Sequence, residues 1–163
     1  FFPGSTIDNL NPEEASQFLK YVRHLVGDEG TFIIGVDMKK DVDIFNRAYN
    51  DKEGHTADFN LNLLHRMKNE LNADINISEF SHKAFYNEKV GRVEMHLTSN
   101  IKQSIKINNL EFFFEKGESI HTECSYKYSV EEFSALAKKS GFSVLKSWSD
   151  KRNVFGIYFL KAV

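Results

Sequence analysis

Glu123 and Ser125 stand two residues apart in the run Ile120-His121-Thr122-Glu123-Cys124-Ser125-Tyr126. On a β-strand that spacing turns both side chains to one face. A carboxylate accepts hydrogen bonds, and a hydroxyl can donate or accept, so together they can hold a ligand that offers an N–H beside a second polar atom. A carboxylate left unpaired in a pocket is costly, so such a pair would discriminate against apolar ligands. The ordinary alternative is a solvated strand face, the commoner fate of an isolated acid and alcohol. Met95, on a separate predicted strand, would supply an apolar wall; at alternating spacing a Met is otherwise plain core.

Of two further polar candidates, the first sits where ligands gather in open α/β sheets. Asn9 follows the first strand end, and its competing role is a turn or cap. Tyr49 closes a short helix, where a Tyr is otherwise a half-buried packing residue. Metal chemistry finds no pattern. His121-Thr122-Glu123 has the His-x-Glu order of zinc deaminases, yet the Pro-Cys-x-x-Cys that must accompany it is missing and the chain has a single Cys. The six His residues show no ligand pair at helical spacing. Cys124 should face away from Glu123 and read as packing.

Composition limits what these residues can belong to. The 163 residues are 41% hydrophobic with 15 Phe, which suits a packed core rather than disorder. A net charge of -2 with mixed signs excludes the basic stripe of a nucleic-acid binder. One Cys excludes an internal disulfide and fits a reducing compartment, so a cytoplasmic location is expected. No apolar run could span a bilayer. The chain opens Phe1-Phe2-Pro3-Gly4 without an initiator Met or signal-peptide layout, and it reads as an excised piece beginning at the end of a buried strand.

The elements that must position these residues follow from periodicity. Asn11-Pro12-Glu13-Glu14 predicts a helix start, with Asn11 as cap and Pro12 at the first helical position, and Gly27 predicts its end. Thr31–Val36 is a short apolar run, as in a parallel strand buried on both faces. Asp43–Tyr49 and Thr56–Leu71 read as helices. From Glu79 to Tyr128 the period becomes two, with Asn108-Asn109 as a hairpin turn, which predicts antiparallel sheet. Ser129-Val130-Glu131-Glu132 is a capping box, and Phe142–Trp148 and Val154–Leu160 predict a closing hairpin. The expectation is an α/β fold in which residues 1–50 and 126–163 form part of a core and residues 51–125 form an added α+β lobe.

Three stretches together resemble one family. They are Phe2-Pro3-Gly4-Ser5-Thr6-Ile7-Asp8-Asn9; Gly35-Val36-Asp37 with Ala48-Tyr49-Asn50-Asp51 and Gly54-His55-Thr56-Ala57-Asp58-Phe59-Asn60-Leu61-Asn62; and Arg92-Val93-Glu94-Met95-His96-Leu97 with Ile120-His121-Thr122-Glu123-Cys124-Ser125-Tyr126-Lys127-Tyr128. In this order they resemble the histidine-specific methyltransferases, best known from ergothioneine biosynthesis. The resemblance implies the C-terminal half of a class I, Rossmann-like methyltransferase core with an inserted substrate lobe. It implies S-adenosylmethionine as methyl donor and the α-amine of histidine as acceptor. It also implies an N-terminal half of the same protein as partner.

Residue by residue, the resemblance implies that Glu123 and Ser125 grip the two imidazole nitrogens beside Met95. Asn9 and Tyr49 would hold the amino-acid end, Thr56 would also bind substrate, and Gly4 and Ser5 would let the cofactor approach. Two departures stand out. Asp8 replaces a usual Gly, placing an acid near the reacting centre. No strand, glycine-rich loop and helix is found; Gly27-Asp28-Glu29-Gly30 follows a helix instead. This polypeptide alone is therefore expected to be inactive. The alternatives are a methyltransferase for another amino acid or amine, which retention of Met95, Glu123 and Ser125 disfavours, and a non-catalytic substrate-binding module.

Overall fold

The computed structural model describes residues 1–163. The chain forms two compact units, one of 1–41, 87–92 and 124–163 and the other of 42–86 and 93–123. The sequence-based ranges put residues 42–50 in the core; here they belong to the second unit.

The first unit begins with helix α1 (Pro12–Val26). Asn11 accepts from the backbone of Glu13 and Glu14, and the Glu14 carboxylate accepts from the Asn11 N–H at 2.8 Å, a full capping box. Ala15 and Leu19, four apart, are fully buried by the helical period. Strand β1 (Thr31–Asp37) buries Ile34 and Val36 completely. The unit closes with helix α4 (Val130–Lys139), capped by Ser129 and Glu132, and two strands numbered below as β7 (Phe142–Ser149) and β8 (Phe155–Ala162).

The sheet order is β1-β8-β7, and both pairings are antiparallel. The expected parallel setting of β1 is met by two isolated bridges, Phe2 to Ile34 and, just past the end of the strand, Met38 to Tyr128. An unbroken apolar run reports burial on both faces and says nothing of strand direction. Beside the Phe2 bridge, a Cβ on Gly35 would stand 2.7 Å from the Gly4 carbonyl oxygen, so only glycine lets the Phe2–Gly4 segment lie against β1.

The second unit contains helices α2 (Val42–Tyr49) and α3 (His55–Glu70). Its strands are β2 (Phe80–Asn87), β3 (Arg92–Ser99), β4 (Gln103–Ile107), β5 (Leu110–Phe114) and β6 (Ser119–Tyr126). One sheet has the order β2-β3-β6, and β4 and β5 form a separate antiparallel hairpin. Ile107 pairs with Leu110 across the predicted Asn108-Asn109 turn, where Asn108 takes φ 52°, a conformation Asn tolerates. Leu64, Ile75, Phe80, Leu97 and Ile105 form the core. No helix of the chain is long and apolar enough to cross a membrane.

Candidate functional site

In the first unit the chemistry gathers at the tip of the Phe2–Gly4 segment. Gly4 has φ 72°, and nothing lies within 4 Å of where its Cβ would be. A short 3-10 turn, Thr6–Asn9, follows Ser5 and leaves Asn9 exposed. The Asn9 carbonyl lies 4.0 Å from the Cys124 thiol. Asp8 is not among the residues with positive φ, so the turn is built without a left-handed residue at that position. The left-handed position is Gly4.

The Asp8 side chain is fully buried. Its Oδ2 accepts from the Asp37 N–H at 3.2 Å, while Oδ1 has no hydrogen-bond partner. Lys127, also fully buried, stands 2.7 Å from Asp37 Oδ2 but 3.9 Å from Asp8 Oδ2. Asp37 further engages Lys40 at 2.6 Å. The ammonium is thus committed to Asp37 and compensates Asp8 only at a distance. Burial pushes the Asp8 carboxyl up to about 8; Lys127 opposes the shift and Asp37 adds to it. The buried Tyr128 hydroxyl has no hydrogen-bond partner either, and burial holds its phenol well above the ordinary range. Lys127 also donates to Ser125 Oγ at 2.6 Å, so this predicted hydroxyl is anchored within the charged group.

In the second unit the β2-β3-β6 sheet carries an aromatic stack. The Phe85 and His96 rings lie 5.4 Å apart, and His96 and His121 lie 4.7 Å apart. Alternation along β6 puts Glu123 on the face of His121. Alternation along β3 puts Glu94 on that face with His96, and Met95 on the opposite one, where it is buried. The expected apolar wall at Met95 is therefore not beside Glu123, because neighbouring residues on a pleated strand point in opposite directions. Thr122 Oγ1 donates to the Met95 carbonyl at 3.0 Å, which ties β6 to β3.

The fold also gathers Glu94, His96 and His121, whose ligand atoms lie within 4.8 Å of one another. Spacing in sequence concealed this group, since His121 arrives from another strand. The two imidazole planes are 10° apart in a stack, so their in-plane lone pairs run side by side and do not converge on one ion. His96 bonds Ser119 Oγ at 3.1 Å and Glu94 at 3.3 Å, which makes the group a hydrogen-bonded stack.

The Tyr49 region is fixed through the backbone. His82 Nε2 meets the Tyr49 carbonyl at 2.9 Å, and His82 Nδ1 meets Asn60 Nδ2 at 3.0 Å. Asn50 bonds both backbone groups of Ala84, which fastens the end of α2 to β2. Thr56 starts α3, and its N–H donates to Asp51 Oδ1 at 2.8 Å. These hydrogen bonds from Thr56 hold the Asp51 carboxyl well below the usual carboxylate range. The motif residues Asn50, Asp51 and Asn60 thus act as a frame for Tyr49. Sequence reasoning gave no role to Asn60, although it lies in the second family stretch, or to His82 on β2, for which spacing offered no signal. Asn60→Ala removes the donor to the His96 carbonyl, 3.1 Å away, and to His82. Loss of about 1–3 kcal/mol in urea unfolding is expected; an unchanged midpoint would show that the frame does not depend on it.

A family described as histidine-specific, SAM-dependent methyltransferases matches residues 1–162. A histidine N-alpha-methyltransferase of Mycobacterium tuberculosis is 34% identical over 158 residues, which is 96% of this chain and 49% of the relative. Ergothioneine biosynthesis protein 1 of Neurospora crassa is 30% identical over 161 residues, 96% of this chain and 18% of that protein. The chain spans about half the length of the first relative and less of the second. Among solved structures, the CcbJ methyltransferase from Streptomyces caelestis matches 98% of this chain and 58% of its own, with a TM-score of 0.49 and 11% identity.

S-adenosylmethionine is the cofactor of the matched family, and the open space beside Gly4, at a left-handed φ, fits the close approach of such a ligand to the segment tip. With its mixed α/β fold and a family match over nearly its whole length, the chain belongs to the histidine-specific, S-adenosylmethionine-dependent methyltransferases.

Proposed function

We propose that the full-length protein methylates the α-amine of histidine. The observation that carries this reading is the acid and the buried hydroxyl two residues apart on β6, within the range that the family matches. Glu123 accepts from one ring N–H, and Ser125 meets the other nitrogen. Asn9, Tyr49 and Thr56 orient the amino-acid end, and Gly4 and Ser5 admit the cofactor. Met95, on the other face of β3, is left to the core.

The bound cofactor supplies a methyl group on a sulfonium, a leaving group that needs no acid. Asn9, Tyr49 and Thr56 would hold the amine with its lone pair toward that methyl group, the cofactor would depart as a neutral thioether, and the proton released from the amine would pass to water. The task of the protein is alignment, an effect that reaches about 7–11 kcal/mol in ideal cases. A cytoplasmic setting is part of the same reading and rests on the single thiol, Cys124.

The test is a substrate panel on the full-length protein with methyl-labelled cofactor. Label should enter the α-amine of histidine, with kcat/KM at least about 100-fold above tryptophan, the discrimination expected of a site with buried polar groups. Preference for another amino acid or amine, or binding without turnover, would replace this reading with one of the alternatives.

A further inference from the structure

We propose that His121 is a specificity-determining residue whose exposed ring face stacks on the planar ring of the acceptor, beside the Glu123 carboxylate. The proposal rests on the assignment of Glu123 to that ring. Every residue it uses, Phe85, Glu94, His96, Ser119, His121 and Glu123, lies in the second unit. It begins from the displaced wall. With Met95 on the opposite face of β3, whatever flanks a ring at Glu123 must come from the face that Glu123 itself occupies.

That face is ordered by strand register. Ser99 donates to the Glu118 carbonyl and accepts from the Gly117 N–H, each at 2.8 Å, which sets β3 and β6 antiparallel. The same register carries His96 opposite His121 and Glu94 opposite Glu123. Residues so placed have Cβ atoms about 4.5–5.5 Å apart. The sheet order β2-β3-β6 then lines up Phe85, His96 and His121 in one column across the strands. Successive rings are 5.4 and 4.7 Å apart and within 16° and 10° of parallel. Those spacings lie in the favourable stacking range of about 4.5–7 Å. The column ends at His121, on the last strand of that sheet. His121 is exposed, and His96 covers one face of its ring.

The last ring is held in place. His121 Nε2 donates to the Glu123 carbonyl at 3.0 Å, so the ring lies along the strand toward Glu123. His96 behind it is fixed at both nitrogens, by Glu94 at 3.3 Å and by Ser119 at 3.1 Å. A platform fixed in advance costs little further ordering when a ligand lies on it. A planar ring on the free face continues the column, and the Glu123 carboxylate, two residues along on the same side, accepts its N–H. The two contacts read different properties. Glu123 asks for an N–H donor and His121 asks for a flat ring, so together they favour a heteroaromatic side chain over an amide or an ammonium chain.

The test uses the full-length protein with S-adenosylhomocysteine and follows the ring protons of bound histidine by NMR. In the parent they should move upfield, as protons held over a stacked ring do. His121→Ala should abolish that displacement and raise KM for histidine about fivefold, the size of one stacked ring pair, with kcat within about twofold of the parent. His121→Phe cannot donate to the Glu123 carbonyl but keeps a flat ring, and it should recover both the upfield displacement and most of the affinity. A role in holding β6 through that hydrogen bond would leave His121→Phe as poor as His121→Ala, which overturns stacking. So does His121→Ala with the parent KM and ring-proton positions, or with a raised KM for the cofactor in place of histidine. In each of those cases histidine remains the substrate as long as Glu123→Ala raises its KM. Histidine that fails to bind the parent removes the assigned function, and this proposal with it.

Discussion

Glu123→Ala in the full-length protein should raise KM for histidine on the order of 100-fold, since a hydrogen bond to a charged group contributes about 1.5–3 kcal/mol. The ring N–H would lose its acceptor, so its desolvation cost is no longer offset. The bond is present before and during methyl transfer, so kcat should change only a few-fold. Glu123→Gln keeps a carbonyl acceptor without the charge and should fall between the two. Steady-state kinetics over a range of histidine concentrations measures both constants. A KM within twofold of the parent would remove Glu123 from the ring site and leave the face it shares with His121 and His96 as ordinary sheet surface.

Asp8→Asn should change how stability depends on pH. In the unfolded chain this carboxyl titrates near its ordinary 3.8, and in the fold it is held up to about 8. The folded state therefore binds the proton more tightly. Its contribution is fully present below the unfolded value, is lost as pH rises through the interval to about 8, and is absent above it. At about 1.4 kcal/mol per unit, the loss across the window is roughly 6 kcal/mol. Asn keeps the shape of the neutral acid and cannot ionise. Urea unfolding of the full-length parent and variant should give similar stabilities near pH 4 and a widening advantage for the variant up to pH 8 or 9, a difference that cancels the other titrating groups. Parallel curves across that range would show that Lys127, 3.9 Å away, already neutralises the carboxylate.

Much of the local structure was legible because its causes are local. Asn11 with Glu14 and Ser129 with Glu132 form capping boxes whose partners lie within one turn. Asn108-Asn109 sets the β4–β5 register by itself. The direction of β1 was not legible, because its partner β8 lies more than a hundred residues downstream and both parallel and antiparallel burial produce the same apolar run. The face of Met95 was legible in principle, since it neighbours His96, but the stacking that sets which face meets β6 is a cross-strand contact.

The sequence by itself determined the family, the cap and turn positions, and the pairing of Glu123 with Ser125 on one strand, because motif order, helix termini and strand period are properties of neighbouring residues. Only the tertiary structure decided the electrostatics. Asp8, Asp37 and Lys127 are scattered along the chain, and whether the ammonium sits on one carboxylate or between two depends on distances of 2.7 and 3.9 Å that no spacing encodes. The same fold gave Ser125 a cation beside it. A hydroxyl carries one donor and two lone pairs, and which neighbours meet them is known only once the chain is folded.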